Sequence, residues 1–274
     1  MSAAVAELGK IGAFIRRDFL ITVSYRAAFV GDAVQIAMQV VLFAMVAKVI
    51  DQSKLPSYNG IHAGYLEFVI VGLAVTMITA TLLARLAIAV RQEQLIGTFE
   101  ALMVTPTRMV TLQAGAAAID VIQVPLRIGA YLAAVGLAFG LHLHASGIGP
   151  ALVIVALFAP FIWGLGLLSA GLMITFRRGG RALGTLVTGL GIAAGVYFPL
   201  SVLPDWLEGV AEINPFATVV EALRETLIGG TGWDAVDPGI LMLIPFGAAT
   251  LLLGTVAFHA AVDRERRRGT LGVY

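Results

Sequence analysis

The chain has 274 residues, of which 59% are hydrophobic and 13% charged, with a formal net charge of +1 and no cysteine. Together with a mean hydropathy of +0.92, this composition excludes a water-soluble domain and places the chain in a lipid bilayer. The lack of cysteine excludes disulfide frameworks, thiolate metal sites and cysteine nucleophiles.

The first 26 residues precede the first long apolar segment and have an amphipathic pattern. At helical spacing, Leu8, Ile11, Ile15 and Phe19 recur on one side, and Glu7, Lys10, Arg17 and Asp18 fall on the other. We predict an interfacial helix that lies on the membrane. It either orients the first span or supports a partner domain.

Continuous apolar segments of helix length follow, and six of them reach the roughly 20 residues needed to cross about 30 Å of hydrocarbon. Barrel strands would instead alternate apolar and polar residues over about ten residues. We predict an all-α membrane protein with one transmembrane domain over residues 1–274 and a six-span bundle over residues 27–262. The predicted spans are Ala27–Val49, Leu66–Ala89, Ala114–Leu141, Ala151–Phe176, Leu183–Val202 and Gly239–Val262.

Six spans place both termini on the same side of the membrane. Most Lys and Arg residues fall on that side, and only Lys48, Lys54 and Arg224 fall on the other. Because cytoplasmic loops carry the excess of basic residues, we predict cytoplasmic termini. Residues 263–274 then form a basic cytoplasmic tail.

Polar and ionisable residues interrupt three of the predicted spans. A charge near the bilayer centre costs at least about 2.5 kcal/mol, so such residues usually face protein or water. They either line a translocation path or form an interhelical polar network. They are Asp32, Gln35 and Gln39 in the first span, Arg85 in the second, and Asp120, Gln123 and Arg127 in the third.

The charged segment 91–106 lies between the second and third spans, on the predicted cytoplasmic side. If Gln92–Val104 is one helix, Phe99 and Leu102 lie on its apolar face while Glu93 and Glu100 share the other.

Alternatively, Gly97 interrupts this helix. Thr98 then caps a shorter helix, and Glu100 lies in its first turn, where the helix dipole favours a carboxylate. In both alternatives Pro106 ends the helix.

Small residues follow one side of the fifth predicted span, at Gly184, Thr188, Gly191 and Gly195, and the fourth span adds Gly164 and Gly171. Such residues let another helix approach closely. The stripe on the fifth span serves either a second subunit or packing within one subunit.

The outer loop after the fifth span has two more runs at helical spacing. They predict two short helices that dip back into the outer membrane face, or an interfacial cap on the bundle. The runs are Trp206, Val210 and Ile213, and then Phe216, Val220, Leu223 and Leu227.

Residues for catalysis or for nucleotide and metal binding are sparse. Gly9 and Lys10 form the only Gly-Lys pair, and they lack the glycine spacing and the Ser or Thr of a phosphate-binding loop. The four histidines have no carboxylates at metal-ligand spacing. We therefore predict neither an enzyme nor a cofactor site on this chain.

Four segments, in this order, resemble the ABC type-2 permease family, the membrane subunits of ABC exporters. The resemblance covers essentially the whole chain. The segments are EQLIGTFEALMVTP from Glu93 to Pro106, RRGGR from Arg177 to Arg181, GVYFPLSVLPDWL from Gly195 to Leu207 and INPFATVVEALRE from Ile213 to Glu225.

The resemblance implies a dimer of permeases, as homodimer or heterodimer, on two separate cytoplasmic ATPase subunits that carry ATP and magnesium. It implies the plasma membrane of a prokaryote and contact with membrane lipid, with no nucleic-acid partner. The exported substrate would be a drug-like, lipid or glycolipid molecule. A secondary transporter or channel that works without ATP is the alternative.

The resemblance also assigns sites. The N-terminal helix would be the connecting helix beside the coupling helix, and the outer helices would form an extracellular gate. The ATPase-coupling residues would be Glu93, Gly97, Thr98, Phe99, Glu100, Leu102 and Pro106, and the gate residues Trp206, Pro215, Phe216, Glu221 and Arg224.

Overall fold

A computed structural model of the chain describes residues 3–24, 26–51, 55–97, 109–176, 179–202 and 204–268. Most of them are helical, and a two-stranded antiparallel hairpin precedes the third helix. The elements in chain order are α1 (Ala3–Ser24), α2 (Arg26–Val46), β1 (Ser57–Tyr58), β2 (Ile61–His62), α3 (Tyr65–Ile96), α4 (Met109–Ala118), α5 (Asp120–Phe139), α6 (Ile148–Thr175), α7 (Gly179–Ala193), α8 (Asp205–Glu212), α9 (Pro215–Leu227), α10 (Pro238–Leu241) and α11 (Leu243–Arg268).

Four helical segments among the described residues are long and apolar enough to cross a membrane, and they correspond to the second, third, fourth and sixth predicted spans. The first and fifth predicted spans contain shorter apolar helices, Val34–Val46 and Ala182–Ala193. The number of six crossings therefore stays a prediction. The four long segments are Tyr65–Gln92, Gln113–Phe139, Ala145–Thr175 and Pro238–Arg268.

The fifth predicted span ends earlier as a helix than the sequence indicated. Helix α7 stops at Ala193, whereas the apolar pattern continues to Val202. Gly195 has a φ of +70°, which favours glycine, and Pro199 follows it closely. The 15 residues of α7 measure about 22 Å, less than the thickness of the hydrocarbon core.

Helices α6 and α11 pack closely against each other, with glycines at the contact. A side chain at Gly164 would overlap the backbone of Thr250, and one at Gly254 would overlap Gly164. At Gly171, a Cβ atom would lie 3.2 Å from the Cα of Phe258. The absence of these side chains brings the two backbones together and increases dispersion contact between them.

The third span consists of α4 and α5, which meet at Ile119. Its φ of −70° and ψ of −30° are helical, so the helical phase continues across the junction. Pro125 lies inside α5 and cannot donate a backbone hydrogen bond, which accounts for an irregular turn here. One face of α5 packs on α3, and the opposite face exposes Val121, Ile122, Leu126 and Leu137.

Helix α9 is buried between α3 and α6 at the end of the bundle where the hairpin lies. The ring centroid of Phe216 is 5.3 Å from that of Phe158 and 5.8 Å from that of Phe161, both in edge-to-face geometry. The hairpin joins this end because the Asn59 amide donates to the carbonyl of Gly229 at 3.1 Å.

Candidate functional site

The end of α3 decides between the two alternatives for the segment after the second span. Helix α3 ends at Ile96, and Gly97 has a φ of +78°, where only glycine is free of steric strain. A single helix over Gln92–Val104 is therefore wrong, and Gly97 interrupts it. The backbone of Glu93 lies in the last turn of α3. The other predicted coupling residues, Thr98, Phe99, Glu100, Leu102 and Pro106, lie outside the described residues.

Three charged side chains from three helices meet in the half of the bundle that contains the C-terminal end of α3. They are Asp18 of α1, Arg85 of α3 and Asp120 of α5, and we call them the inner network. Nη2 of Arg85 is 2.5 Å from Oδ2 of Asp18, and its Nε is 3.4 Å from Oδ2 of Asp120. Both carboxylates are buried, whereas the Arg85 side chain is 32% exposed. The network thus joins the N-terminal helix to two spans.

The position of Asp18 differs from the sequence prediction. The amphipathic pattern placed Asp18 on the polar, solvent-facing side and Phe19 on the membrane side. Instead, the Asp18 carboxylate is buried against Arg85. A helix can turn a carboxylate inward where a cation compensates its desolvation. Arg85 has no acidic residue three or four positions away in α3, which signals that its partner lies on another element.

Packing as well as charge attaches α1 to the spans. The ring of Phe14 lies on Gly115 of α4, where an added Cβ atom would be 2.6 Å from the ring. Arg17 lies over the same ring, 5.0 Å from its centroid, and its Nε donates to Asp18 at 2.9 Å. Since α3 precedes the segment 98–108 and α4 follows it, α1 contacts both helices that flank this segment.

The structure brings only some of the predicted intramembrane polar residues together. Arg85 and Asp120 form an ion pair, and half-buried Arg127 acts electrostatically on the Asp120 carboxylate. On α2, Gln35 is exposed and Gln39 half-buried, and no hydrogen bond within the described residues ties either to the inner network. Gln123 is half-buried on α5, and the side chain of Asp32 lies outside the described residues.

Arg224 of α9 is the centre of a second cluster at the opposite end of α3. Its Nε donates to the carbonyl of Phe68 at 3.2 Å, and its Nη2 donates to the carbonyls of Gly195 at 2.9 Å and Val196 at 3.2 Å. The guanidinium also lies 3.4 Å from the centroid of the Phe68 ring. Arg224 is only 2% exposed, so these contacts replace its hydration.

Two further side chains complete this outer clamp, which we define as Arg224, its three carbonyl partners, Glu221 and Tyr58. Oε2 of Glu221 lies 3.8 Å from Nη1 of Arg224 and accepts a hydrogen bond from the Tyr58 hydroxyl at 3.3 Å. Burial raises the pKa of the Tyr58 phenol, so the hydroxyl keeps its proton and remains the donor. The clamp connects α9 to the hairpin, to α3 and to the turn after α7.

The remaining predicted gate residues lie on the same two short helices. Pro215 is the first residue of α9, whose N-cap Asn214 accepts from the backbone N–H of Phe216 at 3.1 Å. The Asn214 amide donates to the carbonyl of Leu190 at 2.8 Å, which ties α9 to α7. The backbone of Trp206 lies in α8, and its side chain is outside the described residues.

Glu67 is a polar residue of this end that the sequence pattern did not identify. Its carboxylate accepts from the backbone N–H of Gly64 at 3.1 Å and of His142 at 3.2 Å. It therefore links the first turn of α3 to the loop after α5. Within the described part of the chain, no three His, Asp or Glu side chains group as metal ligands.

The chain matches a known protein family. A family model described as ABC-2 type transporter matches residues 10–228, a range that includes most of α1 and continues through α9. No curated protein matches the chain.

Proposed function

Because the chain belongs to the ABC-2 type transporter family and is therefore a multi-pass membrane permease of an ABC transporter, not itself catalytic, we propose that it forms the export path of a transporter driven by a separate ATPase. Members of this family normally work with a cytoplasmic ATPase. We further propose six spans, cytoplasmic termini and the plasma membrane of a prokaryote. ATP and magnesium would bind to the ATPase subunits.

The proposed coupling site is the segment from Gly97 to Thr105, which would bind in a cleft of the ATPase. The observation that carries this proposal is the attachment of α1 to both flanks of the segment: Asp18 binds Arg85 of α3, and Phe14 packs on Gly115 of α4. A displacement of the segment would then move α1, α3 and α4 together. This arrangement would convert closure of the ATPases into a change between inward-open and outward-open states.

Charge reversal in the coupling segment tests the proposal. We expect a Glu100→Lys permease to reach the membrane but to lose both copurification with its ATPase and substrate-stimulated ATP hydrolysis. Asp263→Lys is the matched control, because Asp263 is an exposed acidic residue of α11 on the same predicted side of the membrane and outside the coupling segment. Normal coupling in both variants would contradict the assignment. Transport by the purified chain without an ATPase would instead support a secondary transporter or channel.

A second permease subunit, identical or not, would bind along α7. Among the described residues, a Cβ atom added at Gly184, Gly189 or Gly191 would have no neighbour within 4 Å, and Thr188 is exposed. In contrast, the backbone of α11 occupies the space next to Gly164 and Gly171 of α6. The free small-residue face of α7 thus suits close contact with another helix.

Disulfide cross-linking can locate this contact, since the natural chain has no cysteine. We expect Thr188→Cys to give a covalent dimer in membranes under mild oxidation. Leu252→Cys is the control, because Leu252 is 66% exposed on α11. Cross-linking at position 252 but not at 188 would assign the dimer contact to α11.

The outer clamp and α8 would act as the extracellular gate. The substrate would be an amphipathic, drug-like or lipid molecule, because the span interiors are mostly aliphatic and contain few aromatic rings for stacking on sugars. A transport assay with the cognate ATPase on a panel of lipids and drugs tests this class.

A further inference from the structure

In the part of the chain that the structure describes, the buried polar atoms that lack hydrogen bonds all lie in the third span. Within the described residues, three buried side-chain atoms have no hydrogen-bond partner: Nε2 of Gln113, Oδ2 of Asp120 and the hydroxyl oxygen of Tyr131. All three residues belong to the third span, and each is at most 5% exposed. Oδ2 of Asp120 keeps its ion pair with Arg85 at 3.4 Å, without hydrogen-bond geometry.

These residues also share one face of the span. Gln113, Asp120 and Arg127 are seven residues apart, and Tyr131 follows Arg127 by four. Because Ile119 keeps helical dihedral angles, the phase is continuous from α4 into α5, and this spacing repeats the same direction. We call this face, with Gln113, Asp120, Arg127 and Tyr131, the polar track. It measures about 27 Å along the helix axis.

The opposite face of the third span is apolar and exposed. Val121 is 74% exposed and Leu126 is 70% exposed, so this side suits lipid. The third span therefore separates a polar face with unsatisfied groups from an exposed apolar face. An amphiphile likewise has a polar part, its head group, and an apolar part, its tail.

Closed packing of the track against α3 leaves its polar groups without the partners that burial requires. An unsatisfied donor or acceptor destabilises the state that contains it, and a bilayer offers no water to compensate. An opened interface between α3 and α5 would restore these bonds through water or a ligand. The inner network permits such a movement, because the ion pair between Arg85 and Asp120, which joins α3 to α5 there, lies between two side chains and can separate without a change in the backbone.

We propose that the polar track binds the head group of a zwitterionic amphiphile, whose tail lies in the bilayer beside the apolar face of α5. Asp120 provides a negative charge and Arg127 a positive one on the same face. The amide of Gln113 and the hydroxyl of Tyr131 donate to neutral or anionic oxygens. This assignment rests on the proposed export function and specifies its substrate class.

Thiol labelling tests whether the track opens to water. We expect Tyr131→Cys, in the full-length permease in membranes, to react with a charged, water-soluble thiol reagent. Ile154→Cys is a control that should stay unreactive, because Ile154 is fully buried in α6 and away from the track. Leu126→Cys should also stay unreactive, since it faces lipid. Absence of labelling at position 131, or equal labelling at position 154, would overturn the proposal.

Ligand protection tests the head-group class. We expect lysophosphatidylcholine to slow labelling at position 131 severalfold, and lysophosphatidylglycerol to do so much less. Equal protection by the anionic lipid, or by an alkane without a head group, would overturn the assignment to a zwitterion.

A conservative variant separates binding from structure. Tyr131→Phe removes only the hydroxyl, so we expect an unchanged or higher melting temperature and a smaller stabilisation by lysophosphatidylcholine than in the natural chain. An undiminished stabilisation would overturn a role for the hydroxyl in binding. None of these measurements needs the ATPase, so they can fail while the coupling assays succeed, and the reverse.

Discussion

Arg224 and Arg85 connect helices at the two ends of α3, but they do so with different partners. Arg224 is 2% exposed and donates to main-chain carbonyls of Phe68, Gly195 and Val196. Arg85 is 32% exposed and pairs with the side chains of Asp18 and Asp120. A carbonyl cannot leave its partner unless the backbone moves, whereas a carboxylate can change rotamer. The outer clamp therefore fixes the helices, and the inner network lets them move.

Removal of the Arg224 guanidinium should have the largest effect. Arg224→Met leaves three carbonyls without the donor that Arg224 provides and Glu221 without its cation, and breaking such a buried cluster costs about 3 to 5 kcal/mol. We expect a large drop in the melting temperature of the detergent-solubilised permease. Arg85→Met is the comparison, and we expect a smaller drop, because the Arg85 side chain is partly solvated and Asp18 keeps the hydrogen bond from Arg17. Equal drops would refute the contrast between the two ends.

The second largest loss of stability should come from overpacking the contact between α6 and α11. Gly164→Val inserts a branched side chain into the backbone of α11 and should cost about 1 to 3 kcal/mol. Gly191→Val is matched in chemistry but has open space around it, so the fold of a single subunit should tolerate it. Thermal melting of the two variants measures the difference. Gly191→Val should instead weaken the association of subunits. An unimpaired dimer would argue against a contact through α7.

Substitution of Gly97, at the C-terminal end of α3, should have a smaller effect on stability. Gly97→Ala places a Cβ atom at a φ of +78°, which costs about 1 kcal/mol although nothing lies within 4 Å. Gly129→Ala in the interior of α5 also has nothing within 4 Å, and it should stabilise by about 0.5 to 1 kcal/mol. Opposite shifts in melting temperature are expected. Shifts of the same sign would show that the φ of Gly97 differs in the assembled transporter.

The smallest effect should come from Asp18→Asn, because the amide oxygen can still accept a hydrogen bond from Arg85, which also stays paired with Asp120. Its consequence should be larger for substrate-stimulated ATPase activity than for melting temperature, because the charge holds α1 to α3. Asp263→Asn on exposed α11 is the control and should change neither. An unaltered ATPase response in Asp18→Asn would remove the inner network from the coupling route.

Much of the helical framework could be read from apolar length alone. Continuous hydrophobic segments located the helices of the second, third, fourth and sixth predicted spans, because burial in lipid requires that length whatever the tertiary contacts. The fifth predicted span was longer than the helix, since the apolar pattern continues through Val196 and Tyr197 after the helix has ended. There, the backbone requirement of Gly195 outweighs hydropathy.

The sites were less predictable because they depend on contacts between distant positions. The spacing of α1 assigned Asp18 to solvent, and only Arg85, 67 residues later, turns it inward. Glu67 likewise gains its role from His142, 75 residues away. The resemblance to the family selected Arg224 as a gate residue. Its three carbonyl partners could not be predicted, because they depend on the backbone conformation around Phe68, Gly195 and Val196.

The length of α3 gives the contrast between the two arginines a mechanical meaning. Its 32 residues form a rod about 48 Å long, which exceeds the roughly 30 Å of hydrocarbon. The outer clamp holds this rod at Phe68, near its first turn, and Gly97 is a swivel at its far end. A lever with its fulcrum at one end amplifies motion, so a tilt of about 10° would carry the far end through about 8 Å. Conversely, a large displacement of α3 at Gly97 would produce only a small displacement beside Arg224, with a correspondingly larger force.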